Sequence, residues 1–564
     1  MRAGRWAAAL LSALLLMVGA AGAEVAAGST VTGQVTQVDG SEITIQTGAP
    51  TMPEGEAPAM PEGEAPPDGE VPAMPEGEAP PDGEAPAMPE GEAAFESGES
   101  LRFSVTAATA IAVEGADGTS DGAVEDIAVG GMLRVVFGED GTVASVTVLS
   151  AGMGPAPDGA PGEAAEVDNG TAATTIDQDG AYEAQTYVST GDDENALRID
   201  GATVELKGIR IDKSGGACSS TESGDFYGAN AGLLALGGAQ VYISEATVST
   251  AAQNGNGIFS YGQGTQVVVE RSAVTTLADN SGGLQTAGGG ATRAVDCTVQ
   301  TSGASSAAIR SDRGGGTVEV EGGSYTTNGT GSPAVYSTAD ITVAGATLTA
   351  TASEAVVVEG GNSVLLTDCT VSGNMTGTYA GDTDENIHNV MLYQSTSGDA
   401  QEGTALFSMT GGTLTANAGD MFYATNTQAE IELTGVTLNL AEGGKLLCVE
   451  GNSAARGWGV AGENGAQVRF TANAQALAGE VTVDAISTLE FALQGGSTFT
   501  GSINIVENAQ GGEAAAEGVH VVVGEDCVWT LTGDCTISTL ENSGAINFGD
   551  YTITLADGTV LRAQ

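Results

Sequence analysis

The sequence predicts an all-β protein whose C-terminal two-thirds forms a right-handed parallel β-helix, preceded by a small β-barrel. Small and apolar residues recur in two ladders that share one period. Glycine reaches 85 of 564 residues, whereas aromatic residues make up only 4%. This composition favours many short strands joined by tight turns over helical bundles.

The first ladder repeats an apolar-x-apolar-x-x-small-x-apolar motif. From Val248 to Val371 its last apolar positions are spaced 26, 25, 26, 23 and 23 residues apart. The copies are Val204/Leu206/Ile209/Ile211, Val241/Ile243/Ala246/Val248, Val267/Val269/Ser272/Val274, a degenerate one ending at Val299, Val318/Val320/Gly323/Tyr325, Ile341/Val343/Ala346/Leu348, Val364/Leu366/Cys369/Val371, Phe407/Met409/Gly412/Leu414 and Ile431/Leu433/Val436/Leu438.

The second ladder consists of a small residue followed by an apolar one, at Gly232-Leu233, Gly257-Ile258, Gly283-Leu284, Ala308-Ile309, Ala334-Val335 and Ala355-Val356. Its spacing of 25, 26, 25, 26 and 21 residues keeps the phase of the first ladder. Each period therefore predicts one coil of three short strands and three turns. The right hand follows because parallel crossovers are overwhelmingly right-handed and the hexapeptide rhythm of left-handed coils is absent.

Stacking of identical positions also explains two of the six cysteines. Cys297 and Cys369 fall in the column that Ala246, Gly323, Ala346 and Gly412 occupy in other coils, so we expect them to be buried free thiols. Three coils separate them, about 14 Å at the strand spacing, which is too far for a disulfide.

The region before the coils has a different organisation. Residues 1–23 have the pattern of a signal peptide, with Arg2 and Arg5 before an apolar run and Ala21-Gly22-Ala23 at the cleavage position. Residues 24–150 alternate like the strands of a small barrel, with turn signals at Asp39-Gly40 and Asp140-Gly141. Residues 52–94 interrupt the barrel with near-copies of Met-Pro-Glu-Gly-Glu-Ala-Pro and predict a disordered acidic segment. A linker over 151–172 then leads to the β-helix of 173–564.

The net charge and the predicted export of the protein restrict the classes of partner that we expect. The net charge is −57, from 16 basic and 73 acidic residues. Such a field repels nucleic acid and anionic lipid, so neither is expected as a partner. No run after the signal peptide is apolar over a membrane-spanning length. We expect a secreted, extracellular protein, either released or associated with the cell surface.

Two resemblances accompany these patterns. Gly257-Ile258-Phe259-Ser260, the stretch from Ser306 to Gly316 and the stretch from Trp529 to Asp534 resemble adhesin-like right-handed β-helix proteins of bacterial surfaces. That likeness covers roughly residues 200–564 and implies contact with an extracellular glycan or surface protein. The runs from Val31 to Gly40 and from Ile127 to Val135 resemble small secreted barrel domains of unassigned function.

Familiar catalytic patterns are missing. His388 and His520 stand alone, which disfavours Ser-His-Asp catalysis and zinc chemistry. Neither a P-loop nor a dinucleotide-binding fingerprint occurs. Polygalacturonase-like hydrolases share Asn-Thr-Asp, paired Asp, Gly-His-Gly and Arg-Ile-Lys elements, and these do not occur here as a set. Because the β-helix fold also hosts polysaccharide lyases, an enzymatic function stays open, although the sequence favours a non-enzymatic one.

One constellation could bind a ligand. Strand alternation points Arg310 and Asp312 outward, away from the coil interior, and puts Ser260, Thr286, Ser311 and Ser337 in an inward hydroxyl ladder. Aromatic faces, a guanidinium and carboxylates together suit a sugar-binding groove. The candidates are Phe259, Tyr261, Gln285, Arg310, Asp312, Arg313, Tyr336 and Glu359. Simple ion pairs on a solvated face are the alternative.

Calcium is possible at a second place. Asp382, Asp384 and Asn386 cluster hard oxygen ligands, although Ile387 and Tyr393 break the EF-hand pattern that they begin. Solvated acidic loops are the alternative.

Three functions follow, and the surroundings of Arg310 discriminate among them. A shallow aromatic shelf would favour non-enzymatic adhesion or glycan contact, which is the leading hypothesis. A deep groove with converging acids would favour a calcium-assisted polysaccharide lyase with Arg310 as the base. A covered strip would favour a structural spacer without a ligand.

Overall fold

Parallel strands from successive coils stack into three long sheets, which confirms the predicted parallel β-helix. The computed structural model describes residues 30–39, 42–47, 100–105, 109–115, 118–121, 124, 127, 132–137, 143–149, 167–377, 386–456, 458–516 and 518–563. The predicted signal peptide, the acidic segment 52–94 and most of the linker lie outside these residues. The chain divides into two units, 1–153 and 154–564.

Sheet I has fourteen strands. In chain order they are Gly180–Glu183, Thr203–Lys207, Gln240–Ser244, Gln266–Glu270, Gly290–Val295, Gly316–Glu321, Asp340–Ala344, Ser363–Thr367, Thr404–Thr410, Gln428–Thr434, Gln467–Asn473, Thr488–Gln494, Val519–Val523 and Thr539–Asn542.

Sheet II has ten strands. They are Thr186–Ser189, Arg210–Lys213, Thr247–Thr250, Ala273–Thr276, Thr298–Thr301, Ser324–Thr327, Thr347–Ala350, Thr370–Gly373, Thr413–Ala416 and Thr437–Asn439. Farther along the chain a four-stranded parallel sheet is formed by Ala476–Ala478, Thr498–Thr500, Val528–Thr530 and Ala545–Asn547.

Sheet III has sixteen strands. They are Thr175–Ile176, Leu197–Asp200, Leu233–Leu236, Ile258–Tyr261, Leu284–Ala287, Ile309–Ser311, Val335–Ser337, Val356–Glu359, His388–Tyr393, Asp420–Thr425, Leu447–Val449, Val481–Asp484, Ile503–Val506, Cys535–Ile537, Ile553–Leu555 and Val560–Leu561. The last two pair antiparallel and end the sheet. Thr171–Ala172 and Glu194–Asn195 form a separate parallel pair, and one helix, α1, spans Thr221–Tyr227.

Both predicted ladders appear in register. Val248, Val274, Val299, Tyr325, Leu348 and Val371 stack in one column of sheet II. Leu233, Ile258, Leu284, Ile309, Val335 and Val356 stack in one column of sheet III. All twelve side chains are buried in a single continuous core, because each coil covers the apolar face of the next.

The small-residue column behaves as predicted, with a geometric reason. Cys297 and Cys369 are buried free thiols. At the neighbouring position Gly323 adopts φ +85°, and a Cβ there would lie 2.3 Å from the Cys297 carbonyl oxygen. Gly412 likewise has a positive φ and the same close approach to the Cys369 carbonyl oxygen, so backbones approach so closely at this corner that two coils require glycine.

In the later coils, aromatic rings fill the core. Phe407, Phe422, Phe470, Phe491, Phe499 and Trp529 form one chain of ring contacts, with successive centroids 5.0 to 6.0 Å apart. The indole nitrogen of Trp529 donates to the Gly501 carbonyl oxygen at 3.1 Å. Larger side chains therefore replace the aliphatic ladders where the sequence period loosens.

The N-terminal unit is a seven-stranded sheet formed by Thr30–Asp39, Glu42–Thr47, Ser100–Ser104, Ala110–Gly115, Gly118–Asp121, Met132–Phe137 and Val143–Leu149. Thr30–Asp39 pairs antiparallel with Glu42–Thr47, and Met132–Phe137 pairs antiparallel with Val143–Leu149; the predicted turn residues Gly40, Asp140 and Gly141 lie outside the described residues. The core of this unit includes Ile43, Phe103, Leu133, Val135 and Val146. Closure into a barrel stays a prediction, as does the hand of the β-helix.

Candidate functional site

The long insertions of the β-helix flank one sheet. In the regular coils about 25 residues separate equivalent positions, but Ile211 and Val248 lie 37 apart and Val371 and Leu414 lie 43 apart. The extra residues of these two coils fall immediately before or after strands of sheet III, at 214–232, 374–387 and 394–403, and later coils carry insertions after strands of the same sheet at 450–466 and 507–518. Insertions on one face of a solenoid often mark its functional side.

Helix α1 covers the outer face of sheet III beside Arg310. The Ser220 hydroxyl caps its first turn by accepting from the Ser223 amide, and Gly228 ends it in the left-handed conformation at φ 73°. A Cβ on Gly228 would lie 2.7 Å from Leu234 and 3.1 Å from Phe259, so the helix end packs directly on the sheet.

Asp225 of α1 joins a buried ion-pair cluster. The Arg310 Nη2 lies 3.1 Å from Asp225 Oδ2, and its Nε lies 2.7 Å from Asp312 Oδ2. Gln285 Nε2 donates to Asp312 Oδ2 at 2.8 Å and to the Asp225 carbonyl oxygen at 3.1 Å. Arg310 and Asp312 are only 9% and 4% exposed.

The cluster contains two carboxylates and one guanidinium, which sets its electrostatics. Burial raises the pKa of Asp312 to about 7; Arg310 opposes this rise and Asp225 adds to it. Burial alone would lower the pKa of Arg310, but the two carboxylates outweigh it and hold that pKa above its ordinary value. Arg310 therefore stays charged and bound to its acids, which argues against a role as a proton-accepting base.

Arg313 connects two different insertions. Its Nη1 lies 2.6 Å from Glu222 Oε1 in α1, and its Nη2 lies 2.9 Å from Asp399 Oδ1 in the 394–403 insertion. Its guanidinium also sits 4.1 Å from the centroid of the Phe226 ring. The second predicted cation of the strip is thus also held by the covering segments.

A second buried cluster surrounds Glu359. Both oxygens of this carboxylate accept hydrogen bonds: Oε2 from the hydroxyls of Tyr336 and of Tyr393 (2.8 Å), and Oε1 from the Ser395 hydroxyl. Burial, followed by the Glu359 charge, raises the pKa of both tyrosines well above the ordinary value. Trp458 of the 450–466 insertion closes the cluster from outside, with its ring centroid 4.7 Å from that of Tyr393.

The structure brings the predicted ligand-binding residues together but covers them. Phe259, Gln285, Arg310 and Tyr336 lie in one register column on the outer face of sheet III, as the sequence indicated. The expected accessible groove is corrected to a buried layer, in which Phe259, Gln285, Arg310, Asp312 and Glu359 are buried and Tyr261, Tyr336 and Arg313 are only partly exposed. The inward ladder of Ser260, Thr286, Ser311 and Ser337 is fully buried, as predicted.

Sequence reasoning missed three residues that cover the strip: Asp225, which pairs with Arg310, Asp399, which pairs with Arg313, and Trp458, which packs on Tyr393. Asp225, Asp399 and Trp458 lie in segments that carry no repeat motif. For Asp225 and Asp399, the signal that could have revealed them is the lengthening of the coils that contain them, 37 and 43 residues against about 25.

Only one of the three predicted calcium ligands lies among the described residues. Asp382 and Asp384 lie outside the described residues, whereas the Asn386 amide nitrogen donates to Asp420 Oδ2 at 3.0 Å. Within the described ranges, no group of three or more His, Cys, Asp or Glu side chains is positioned to hold a metal ion.

Sheet II presents an uncovered face with a different chemistry. From Thr247 to Asn439 its outward positions alternate with the buried apolar ladder and form two columns along the coil axis. All of them are Thr or Ser except Ala273, Gln300 and Asn439. These positions, which we call the hydroxyl face, are 247, 249, 273, 275, 298, 300, 324, 326, 347, 349, 370, 372, 413, 415, 437 and 439.

A shallow concave region of about 400 Å³ borders the hydroxyl face at the corner between sheets I and II. Its lining includes Asp296, Glu321 and Asp368. It is open to solvent and lies on a different side of the coil from Arg310.

The chain matches none of the known proteins with which it was compared: no family profile, curated protein or solved structure is similar to it. The likeness to bacterial surface β-helices therefore rests on the repeats alone. Across the described ranges, none of the helical structure has the length and apolarity needed to cross a membrane.

Proposed function

We propose that this protein is a non-enzymatic extracellular β-helix that contacts a neutral polysaccharide through the hydroxyl face. The observation that carries the proposal is the chemistry of that face. In a chain of net charge −57, its positions from 247 to 439 contain no charged residue.

The geometry suits a long, repetitive partner. Neighbouring strands repeat at about 4.8 Å along the coil axis, and alternate residues of one strand repeat at about 6.6 Å across it. Each threonine offers a methyl group and a hydroxyl group, which can contact the C–H surface and the hydroxyl groups of a sugar chain. A ligand that spans several coils gains many weak contacts at once.

Electrostatics selects the class of glycan. The outer face of sheet I carries mixed charges, such as the pairs of Arg293 with Glu319 and Glu321. The overall negative field would repel polyuronates and sulfated glycans, and the hydroxyl face has no cation to attract them. A neutral polymer avoids that repulsion.

The burial of the strip at Arg310 argues against that strip as the glycan-binding surface and against a polysaccharide lyase that uses Arg310. Access to Arg310 would require breaking its ion pairs with Asp225 and Asp312 and lifting α1. Burial of the strip instead favours the structural spacer as a second candidate function, in which sheet III needs no ligand.

Binding to insoluble neutral polysaccharides, such as β-glucans and chitin, tests the proposal. We expect retention of the wild-type protein and about tenfold or greater loss in the double variant Thr298→Glu/Thr370→Glu, because both positions are exposed on the hydroxyl face. The control Val268→Glu/Leu365→Glu adds the same charge to the outer face of sheet I and should bind normally. Equal losses in the two variants contradict the proposal, and absence of wild-type binding leaves the spacer.

A further inference from the structure

Two buried oxygen atoms on the outer face of sheet III lack hydrogen-bond partners near the end of the strand Val481–Asp484. They are Asp484 Oδ1 and Asn464 Oδ1, and both residues are only 2% exposed. A carboxylate oxygen without a partner is among the most costly groups to bury. Such an oxygen is a suitable ligand for a positively charged partner.

The surroundings of Asp484 satisfy only half of its carboxylate. Asp484 Oδ2 accepts from the Gly451 amide at 2.8 Å and from the Asn508 side-chain amide. In the described part of the chain, Oδ1 accepts from nothing and no ion pair reaches Asp484.

The orientation of Asn464 is fixed by its own donors. Its Nδ2 donates to the carbonyl oxygens of Asn452 at 3.1 Å and of Trp458 at 2.8 Å. Exchanging the two ends of the amide would break both bonds, so the unsatisfied atom is the oxygen.

Gly451 brings the two oxygen-bearing side chains together. Its amide bonds Asp484, and a Cβ on Gly451 would lie only 2.7 Å from Asn464 Oδ1 and 3.2 Å from Asn508 Nδ2. The same Cβ would lie 2.7 Å from Ile486 Cδ1, so glycine is required where Asp484, Asn464, Asn508 and Ile486 border one narrow space.

The charge around this space is negative. Leu447–Val449 and Val481–Val483 pair in register, so the next residues, Glu450 and Asp484, are neighbours on the same face. Burial raises the pKa of Glu450, and Asp484 adds to the rise while Lys445 opposes it. One ammonium group thus faces several carboxylates, since Asp420 also acts on Glu450.

We propose that Asp484 Oδ1 and Asn464 Oδ1 bind a hard divalent cation of the calcium class under the 450–466 and 507–518 insertions. Calcium accepts carboxylate, amide and water oxygens together, so two protein oxygens completed by water form a weak site. Its dissociation constant falls in the range of about 10⁻⁴ to 10⁻³ M that is typical of extracellular modules. The cation cross-links the end of a sheet III strand to the segment that covers it. This site goes beyond the proposed glycan contact and does not depend on it.

Thermal unfolding of the full chain in calcium and in chelator tests the site. The wild-type transition should rise by a few degrees in about 10 mM calcium, since a ligand that binds only the folded state stabilises it. Asp484→Asn should lose this rise and should be no less stable than wild type in chelator, because it removes an uncompensated buried charge. It changes one charge in a chain of net −57, so nonspecific calcium binding is nearly unchanged.

Asp420→Asn is the matched control. Asp420 is also a buried aspartate of a sheet III strand, but both of its oxygens accept hydrogen bonds, from the Lys445 backbone amide at 2.8 Å and the Asn386 side-chain amide at 3.0 Å. It should lose stability in chelator and retain the calcium-induced rise. Terbium luminescence excited through tryptophan gives a second readout, which Trp458→Phe should reduce without removing the calcium-induced rise.

Three results would overturn the site. They are a wild-type transition that calcium does not move, an Asp484→Asn variant that responds to calcium like wild type, and a loss of stability in chelator as large for Asp484→Asn as for Asp420→Asn. The last result would mean that water alone completes the Asp484 carboxylate.

Discussion

Sheets II and III are built from the same coils, yet one is open and the other is covered. The sheet II strand Thr347–Ala350 alternates between exposed or half-exposed and buried residues, whereas Val356–Glu359, the next strand of the chain and part of sheet III, is buried throughout. The inward residues Leu348, Val356 and Val358 belong to one core. The repeat therefore determines the interior, and the insertions determine which outer face meets solvent.

The largest loss of stability should come from removing the guanidinium of Arg310, which helix α1 covers. Arg310→Ala would leave Asp225 and Asp312 buried without their counter-charge, so we expect a loss of about 3–5 kcal/mol in the free energy of unfolding. Chemical denaturation measures it.

Arg293→Ala is the corresponding change on an open face. Arg293 is 44% exposed and pairs with Glu319 and Glu321 in solvent, so its loss should stay below about 1 kcal/mol. Similar losses for the two variants would show that the cover over Arg310 is not formed in solution.

A pH dependence should be specific to the covered face. The pKa of Asp312 is about 7 in the folded chain but about 3.9 in an unfolded one. Between these values the folded state holds a proton that the unfolded state has released, so this group makes stability fall as pH rises through the window.

Asp312→Asn should remove that contribution. The difference between the stability–pH curves of wild type and variant, measured from about pH 4 to pH 8, isolates Asp312 because the remaining carboxylates are common to both. Parallel curves would contradict a raised pKa.

Two adjacent threonines, Thr326 and Thr327, point to opposite faces of sheet II and allow the two faces to be compared. The Thr327 hydroxyl points inward and donates to the Ser332 carbonyl oxygen at 2.5 Å, whereas Thr326 belongs to the hydroxyl face. Thr327→Val should lose about 1–3 kcal/mol through the broken buried hydrogen bond, and Thr326→Val should change stability by about 0.5 kcal/mol or less. Thermal denaturation distinguishes them, and a larger effect at Thr326 would reverse the assignment of the faces.

The smallest effect is expected in the small-residue column. Cys369→Ala should change the free energy of unfolding by about 1 kcal/mol or less, because the neighbouring coil already carries Ala346 at this position. In the wild-type protein, native Cys369 should resist thiol reagents that modify it after unfolding. Rapid modification under native conditions would show that this corner opens.

The regular coils could be predicted from the sequence because stacking makes every coil repeat the same requirement. Val248 and Val274 face identical surroundings, so their spacing alone gives their register. The direction of Arg310 followed in the same way from alternation. Its burial did not, because Asp225 lies 85 residues away in a segment that belongs to no repeat. The Thr and Ser residues of the hydroxyl face alternate with the apolar positions in the sequence. They were not predicted as a surface because the two ladders were defined by the inward-pointing residues alone.

Arg313 gives the β-helix a long-range connection that the stacking of neighbouring coils cannot provide. In a simple solenoid each coil contacts only its neighbours, so the coils can separate one at a time. Arg313 instead joins Glu222 and Asp399, which lie three coils before and three coils after its own strand. A force that separates the coils would first have to break the ion pairs of Arg313 with Glu222 and Asp399. The coils between residues 222 and 399 should therefore unfold together under force.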